Sequence, residues 1–243
     1  MDNKVCLVIG AGDATGGAIA RRFAREGYHT CMTRRTRHLD ELEKLAERIR
    51  DDGGSATAFG SDAREEEEVI ALVNKIEKDI GPIEVAVFNI GANVNFSITE
   101  TTTRVYRKVW EMGCFAGFLL GREAARVMIP RERGTILFTG ATASVRGSSG
   151  FSAFAGAKHG LRALAQSMAR ELGPKGIHVA HAIIDGAIDT QFISERFPDR
   201  YALKDQDGIL QPDDIAESYW QLHDQNRSAW TFELDLRPWM ETW

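Results

Sequence analysis

Apolar runs of strand length alternate with stripes of helical spacing along most of the chain. Val5-Cys6-Leu7-Val8-Ile9 is apolar at every position, as expected of a strand covered on both faces. Glycines follow, then Ala18, Ile19, Ala20 and Phe23 at helical spacing, with Gly27 as the stop. His29 to Thr33 predicts a second strand, and Leu39, Leu42, Leu45, Ala46 and Ile49 stripe a helix that ends at Gly53-Gly54. Ala56 to Phe59 predicts a third strand. Val69, Ile70, Val73, Ile76 and Ile80 mark a helix closed by Gly81-Pro82. After a fourth strand, Val85 to Phe88, one long helix is predicted from Thr103 to Ile129, halted by Pro130. Thr135 to Phe138 is a fifth strand, and the stripe Phe154, Ala157, Leu161, Leu164, Met168, Leu172 is closed by Gly173-Pro174. Val179 to Ile184 and Phe232 to Leu236 complete seven strands. Between the last two, residues 191–211 are polar and irregular, which suits a lid over a site. Repeated strand–helix alternation predicts an α/β chain with a parallel, doubly wound sheet, here one domain spanning residues 1–243.

Composition narrows the function classes. The chain has 243 residues, 43% hydrophobic and 27% charged, which excludes disorder and fibrous repeats. Lys and Arg number 30 against 35 Asp and Glu, a net charge of -5, without the basic footprint of a nucleic-acid or membrane-surface binder. The three cysteines (Cys6, Cys31, Cys114) sit in apolar runs and read as buried thiols of a reducing compartment. The six histidines show no metal-ligand spacing. The N-terminus carries no signal-peptide pattern, and Cys114 to Leu120, the longest apolar stretch in a helical segment, is too short to span a bilayer. The expectation is a cytoplasmic protein acting on a small molecule, with no metal, nucleic-acid or membrane partner.

The segment GAGDATGGAIA, Gly10 to Ala20, lies between the first strand and its helix. A glycine-rich turn there lets backbone N–H groups and the helix N-terminus meet a pyrophosphate, the Rossmann arrangement. At the end of the second strand an NAD enzyme would carry an acidic residue for the ribose 2′-hydroxyl. This chain has Arg34 and Arg35 instead, two guanidinium groups suited to a 2′-phosphate, so NADP(H) is expected rather than NAD(H).

These residues carry a resemblance, over essentially the whole length, to the short-chain dehydrogenase/reductases. The family's Gly-x-x-x-Gly-x-Gly turn falls on Gly10, Ala14 and Gly16, with alanine in place of the middle glycine. Phe88-Asn89-Ile90-Gly91 resembles its Asn-Asn-Ala-Gly, and Asp62 stands where the family contacts the adenine ring. Asp185-Gly186-Ala187-Ile188-Asp189-Thr190 resembles its Pro-Gly-x-x-x-Thr, which holds the nicotinamide amide, with Asp185 in place of the proline. The resemblance therefore implies a coenzyme site at Gly10, Asp13, Ala14, Thr15, Gly16, Arg34, Arg35, Asp62, Asn89, Gly91, Lys158, Gly186, Ile188 and Thr190.

The family's chemistry rests on Asn, Ser, Tyr and Lys, with Tyr as proton donor and Lys four residues on lowering its pKa and binding the ribose. Here Lys158 is present, but Phe154 holds the Tyr position, Ala141 the Ser position and Gly113 the Asn position. The candidate replacements are Thr142 and Ser144, just after the vacated serine, and Asp185 beside the nicotinamide segment. His159 points about 100° away from Lys158 on the helix, Cys114 reads as core, and Tyr201 lies in the lid.

Three functions remain open on the sequence: an NADP(H)-dependent oxidoreductase of non-standard mechanism, reducing a carbonyl, imine or activated alkene; a catalytically silent NADP(H)-binding sensor or partner protein; and a non-redox isomerase or cyclase on the same fold. The resemblance also implies a homodimer or homotetramer, packed through the long fourth and fifth helices. Four of the five tryptophans (Trp220, Trp230, Trp239, Trp243) cluster at the C-terminus, as anchors of a subunit contact or as a cap on this chain.

Overall fold

The structure is a computed structural model that describes residues 3–242. Seven strands form one sheet: β1 (Val5–Ile9), β2 (His29–Arg34), β3 (Ser55–Gly60), β4 (Ile83–Phe88), β5 (Gly134–Thr139), β6 (Ile177–Ile184) and β7 (Glu233–Leu236). Every pairing is parallel and the order is β3-β2-β1-β4-β5-β6-β7. The doubly wound Rossmann expectation is met. The winding reverses between β1 and β4, where Ile9 pairs with Phe88, and open α/β sheets bind ligands at the carboxyl ends of such a switch point.

The sheet divides the core in two because alternate side chains of each buried strand face opposite ways. On one face Cys6 and Val8 pack with α1 (Thr15–Arg25), α2 (Leu39–Asp51) and α9 (Pro212–His223). On the other Val5, Leu7 and Ile9 pack with α3 (Glu66–Asp79), α5 (Ala116–Met128) and α6 (Ser152–Leu172). A smaller cluster around Phe154 joins α6 to α4 (Thr103–Trp110), whose first turn is capped by Thr102 accepting from the Val105 N–H at 3.2 Å.

Two expectations are corrected, and one helix goes beyond them. The long helix predicted from Thr103 is interrupted by a π turn, Glu111–Phe115, centred on Gly113. A Cβ at Gly113 would stand 3.1 Å from the Cβ of Ala157, so the missing side chain lets this turn lie against α6. The lid is not irregular. It contains two short helices, α7 (Gln191–Arg196), capped by Thr190, and α8 (Pro198–Tyr201). Helix α9, with Pro212 in its first turn and Ile215, Ala216, Tyr219 and Leu222 on its buried face, follows where the sequence expectation assigns no element.

The C-terminal tryptophans divide between the two readings. Trp220 packs on Phe23 with ring centres 5.4 Å apart under the Arg22 guanidinium, and Trp230 stacks on His178 at 4.9 Å. Both serve this chain's own core. Trp239 is 75% exposed, with its indole N–H donating to the Gln206 carbonyl, and Trp243 lies outside the described residues.

Candidate active site

A cavity of about 600 Å³ opens at the switch point. The half expected to take a coenzyme is bordered by the turn from Gly10 to Gly16, where Gly10, Asp13, Ala14, Thr15 and Gly16 line the wall together with Asn89 and Gly91. Gly10 takes φ +88° and a Cβ there would stand 2.6 Å from the Asn89 carbonyl oxygen, so only glycine fits. Asn89 fastens the turn by donating from its side-chain amide to the Gly10 carbonyl at 3.1 Å. Ala14 is the N-cap of α1. Among the described residues no side chain caps that helix and no acidic residue stands in its first turn, so the helix N-terminus faces the cavity with N–H groups available to an anion. At Gly12 and Gly91 a Cβ would meet nothing within 4 Å, so backbone borders open space on both sides of the loop. These features fit a dinucleotide pyrophosphate.

The adenosine end differs from the sequence expectation in one respect. Arg34 is paired with Glu41 at 2.9 Å, because α2 begins with acidic residues one turn away. Arg35 has no such ion pair among the described residues. Burial first, and then the neighbouring Arg37, pull its guanidinium below the ordinary value, with Arg64 and Arg34 also acting on it. Arg64 grips Asp62 through both carboxylate oxygens, the nearer bond at 2.5 Å, and holds that carboxyl below its usual range. Arg37 and Arg64 were not anticipated. They become visible only once β2 and β3 pair and bring Arg34 opposite Gly60.

Lys158 and Phe154 line the other half, with Ala141, Thr142, Gly186, Ile188 and Thr190. Lys158 is 1% exposed and its ammonium donates to the carbonyls of Ile90 at 2.9 Å and Thr139 at 2.8 Å. Burial pulls its pKa down to about 7. Ala141 and Phe154, the expected Ser and Tyr positions, line this wall with no hydroxyl; Gly113 lies against Ala157 and Ala92.

The three candidate replacements separate. Thr142 lines the cavity and donates its hydroxyl hydrogen to Asp185 Oδ1 at 2.5 Å. Asp185 does not line the cavity; its carboxylate is an acceptor, with guanidinium nitrogens of Arg146 and Arg237 each 3.7 Å away. Asp185 Oδ1 accepts the Thr142 hydroxyl hydrogen, so the geometry gives this carboxyl the part of acceptor where the sequence suggested a donor. Ser144 is fully buried, and its Oγ accepts the Ala141 N–H at 3.1 Å because the 3₁₀ turn Thr142–Ser144 folds it inward. It is a loop fastener. His159 bonds the Ala155 carbonyl, Cys114 is a buried thiol pushed up by burial, and the Tyr201 ring packs under Lys204; none of the three lines the cavity.

Beneath this wall is a group the sequence did not flag. His181 on β6 is fully buried, and its Nδ1 bonds Glu233, which Arg162 grips through both oxygens at 2.6 and 2.7 Å. Burial pulls His181 down to about 4, so it is neutral at working pH. A Cβ at Gly140 would stand 2.4 Å from His181 Nε2, which explains the glycine there.

Comparison with known proteins agrees with this architecture. The family model described as short chain dehydrogenase matches residues 4–201. An uncharacterized oxidoreductase of Bacillus subtilis is 31% identical over 199 residues, covering 82% of this chain and 76% of that protein. The crystal structure of a short-chain dehydrogenase from Rhodopseudomonas palustris is 50% identical, covers 98% of this chain and all of that one, and superposes with a TM-score of 0.84. A metagenomic short-chain oxidoreductase in complex with NADP shares the fold at 23% identity, with a TM-score of 0.80 over 98% of each chain. With the strand order, the glycine turn at the switch point and Lys158 on the cavity wall all in place, the chain belongs to the short-chain dehydrogenase family.

Proposed function

We propose that the protein is an NADP(H)-dependent oxidoreductase that moves hydride to or from a carbonyl, imine or activated alkene without the family's tyrosine. The observation that carries this reading is the continuity of one cavity, which joins an uncapped helix N-terminus and glycine turn to Lys158 and a cleft closed by Phe151, Phe192 and Ile193. The coenzyme supplies hydride at its nicotinamide. The chain's own residues do the rest.

The turn from Gly10 to Gly16 and the first turn of α1 hold the pyrophosphate by N–H groups and the helix dipole. Arg35, aided by Arg37, takes the 2′-phosphate, with Asp62 and its Arg64 clamp beside the adenine. Arg34 is committed to Glu41. Gly186, Ile188 and Thr190 border the nicotinamide, and Lys158 donates towards its ribose while anchored to the backbone of β5 and of the loop after β4.

Thr142 is the hydroxyl that can move the substrate's proton. Its Oγ accepts a proton from a substrate hydroxyl while its own passes to the Asp185 carboxylate, and the reverse sequence protonates a reduced oxygen. With Asp185 as acceptor of the Thr142 hydrogen bond, this arrangement works most readily in the direction that removes a proton, alcohol oxidation. Phe154 and Ala141 leave the hydride-accepting region apolar, which suits an acceptor that needs little acid assistance. A second reading, a silent NADP(H)-binding protein, is favoured by one fact: the Thr142 hydroxyl is already committed to Asp185.

Assembly into a homodimer or homotetramer, through α4, the π turn and α5 (the fourth helix read from the sequence) and through α6 (the fifth), is part of the same proposal. Trp110, Phe115 and Phe118 stack along that face at 5.8 and 6.0 Å, with Trp110 and Phe118 both exposed in the single chain. Titrating coenzyme fluorescence and then following 340 nm absorbance with carbonyl, imine, enone and secondary-alcohol panels tests the whole reading. NADPH binding tighter than NADH, with turnover on one panel, is expected; tight NADPH binding without turnover on any panel selects the silent reading, and no binding at all defeats both.

A further inference from the structure

The substrate half of the cavity is apolar except at one corner. Phe151, Phe154, Ile188, Phe192 and Ile193 supply the walls, and Arg146 enters from the loop after β5, next to Thr142 and Ser148. Of the other charged side chains on the cavity wall, Asp13 belongs to the glycine turn and Lys158 is tied to two backbone carbonyls. The Arg146 side chain has no hydrogen-bond partner among the described residues. Its guanidinium stands 3.7 Å from Asp185 Oδ1, beyond hydrogen-bond range, and its side chain is 43% exposed. Asp185 is meanwhile served by the Thr142 hydroxyl and flanked on its other oxygen by Arg237, which also pairs with Asp235.

We infer that Arg146 is the receptor for a carboxylate on the substrate, so that the protein acts on small organic acids with an aromatic or branched apolar body. This rests on the proposed oxidoreductase reading and names the substrate class of that site. A planar guanidinium with free donors at the rim of an apolar cleft matches a carboxylate through two parallel hydrogen bonds, and the apolar walls cover the rest of the molecule. Its place beside Thr142 would anchor the acid group on the same wall as the hydroxyl that handles the proton. The Asp185 charge does not cancel the site, because Arg237 faces the same carboxylate from its second oxygen.

Calorimetry on the NADP⁺-loaded protein tests this with matched probes: phenylacetate, 3-phenylpropionate and 4-methylpentanoate, each against its primary amide. At least one acid should bind ten-fold or more tightly than its amide. Arg146→Ala should erase that preference, and Arg146→Lys should retain part of it, because lysine keeps the charge but not the fork. NADPH affinity measured in each variant shows whether the fold and the coenzyme site survive. Acids and amides binding alike, acids failing to bind in all three pairs, or a preference that persists in Arg146→Ala would overturn the inference while leaving the oxidoreductase reading intact. Failure of the wild-type protein to bind NADPH would instead defeat the reading beneath it.

Discussion

The ammonium of Lys158 lies 5.9 Å from the centre of the Phe154 ring, one turn earlier on α6. A phenol at Phe154 would therefore stand beside an existing cation. Phe154→Tyr together with Ala141→Ser should raise NADPH-dependent reduction of simple aldehydes or diketones by roughly 10²-fold, the worth of one restored proton donor. No gain, with NADPH binding intact, would show a pocket rebuilt for another reaction. Adding Gly113→Asn should cost stability, because its Cβ would crowd Ala157 at 3.1 Å in the π turn; an unchanged melting temperature would count against that packing.

Coenzyme choice should depend more on Arg35 than on Arg34. Arg34 is held by Glu41, whereas Arg35 sits among Arg37 and Arg64. Arg35→Ala should reduce the NADPH-over-NADH preference ten-fold or more, and Arg34→Ala several-fold less. Fluorescence titration with both coenzymes decides it, and the reverse order would place the 2′-phosphate on Arg34.

Lys158 should make stability rise with pH. Its pKa is about 7 in the folded protein against an ordinary 10.5, so between those values the unfolded chain binds the extra proton and rising pH favours the fold. Melting temperatures of the coenzyme-free protein from pH 7 to 9 should rise relative to those of Lys158→Met. Parallel curves would contradict the buried, desolvated ammonium.

Acid should act through the histidines. His181 and His223 are both held near 4 by burial, against 6.5 unfolded, so stability is lost as pH falls from about 6.5 towards 4. His223 bridges the Tyr28 hydroxyl at 2.7 Å and the Thr135 hydroxyl at 2.8 Å. His223→Gln should lower stability at pH 7 and flatten the acid slope, which pH-resolved denaturant melts would reveal; an unchanged slope would assign the acid loss elsewhere.

Tyr219 supports the cavity wall from behind. Its buried hydroxyl bonds the Thr139 hydroxyl at 2.7 Å, and the Thr139 carbonyl holds Lys158. Tyr219→Phe should cost about 1–3 kcal/mol by leaving Thr139 unpaired, with a small effect on NADPH affinity. A melting temperature equal to the parent's would show that the bond contributes nothing.

The strands and the glycine turn were legible in the sequence because continuous apolar runs such as Val5 to Ile9 and backbone-demanding glycines such as Gly10 are local signals. The π turn was not, since Gly113 yields to a contact with Ala157 that lies more than forty residues away. Ser144 and Thr142 looked equivalent as hydroxyls on one loop, and a single 3₁₀ turn sent one inward and one to the cavity. Arg35, Arg37 and Arg64 become one charged group only through strand pairing, just as His181, Glu233 and Arg162 do through β6, β7 and α6. Helix α9 carries a helical stripe, Ile215, Ala216, Tyr219 and Leu222, but a short one of four positions that follows the polar lid directly.

The most direct test of the account is NADPH oxidation and NADP⁺ reduction at 340 nm by the wild-type protein and Thr142→Val, across matched carbonyl and secondary-alcohol substrates. The account predicts measurable turnover by the wild type and a loss of roughly 10²-fold or more in the variant, with coenzyme affinity unchanged. Wild-type turnover that is unaffected by Thr142→Val would contradict the proton route, and saturable NADPH binding with no turnover on any substrate would contradict the assignment as an oxidoreductase.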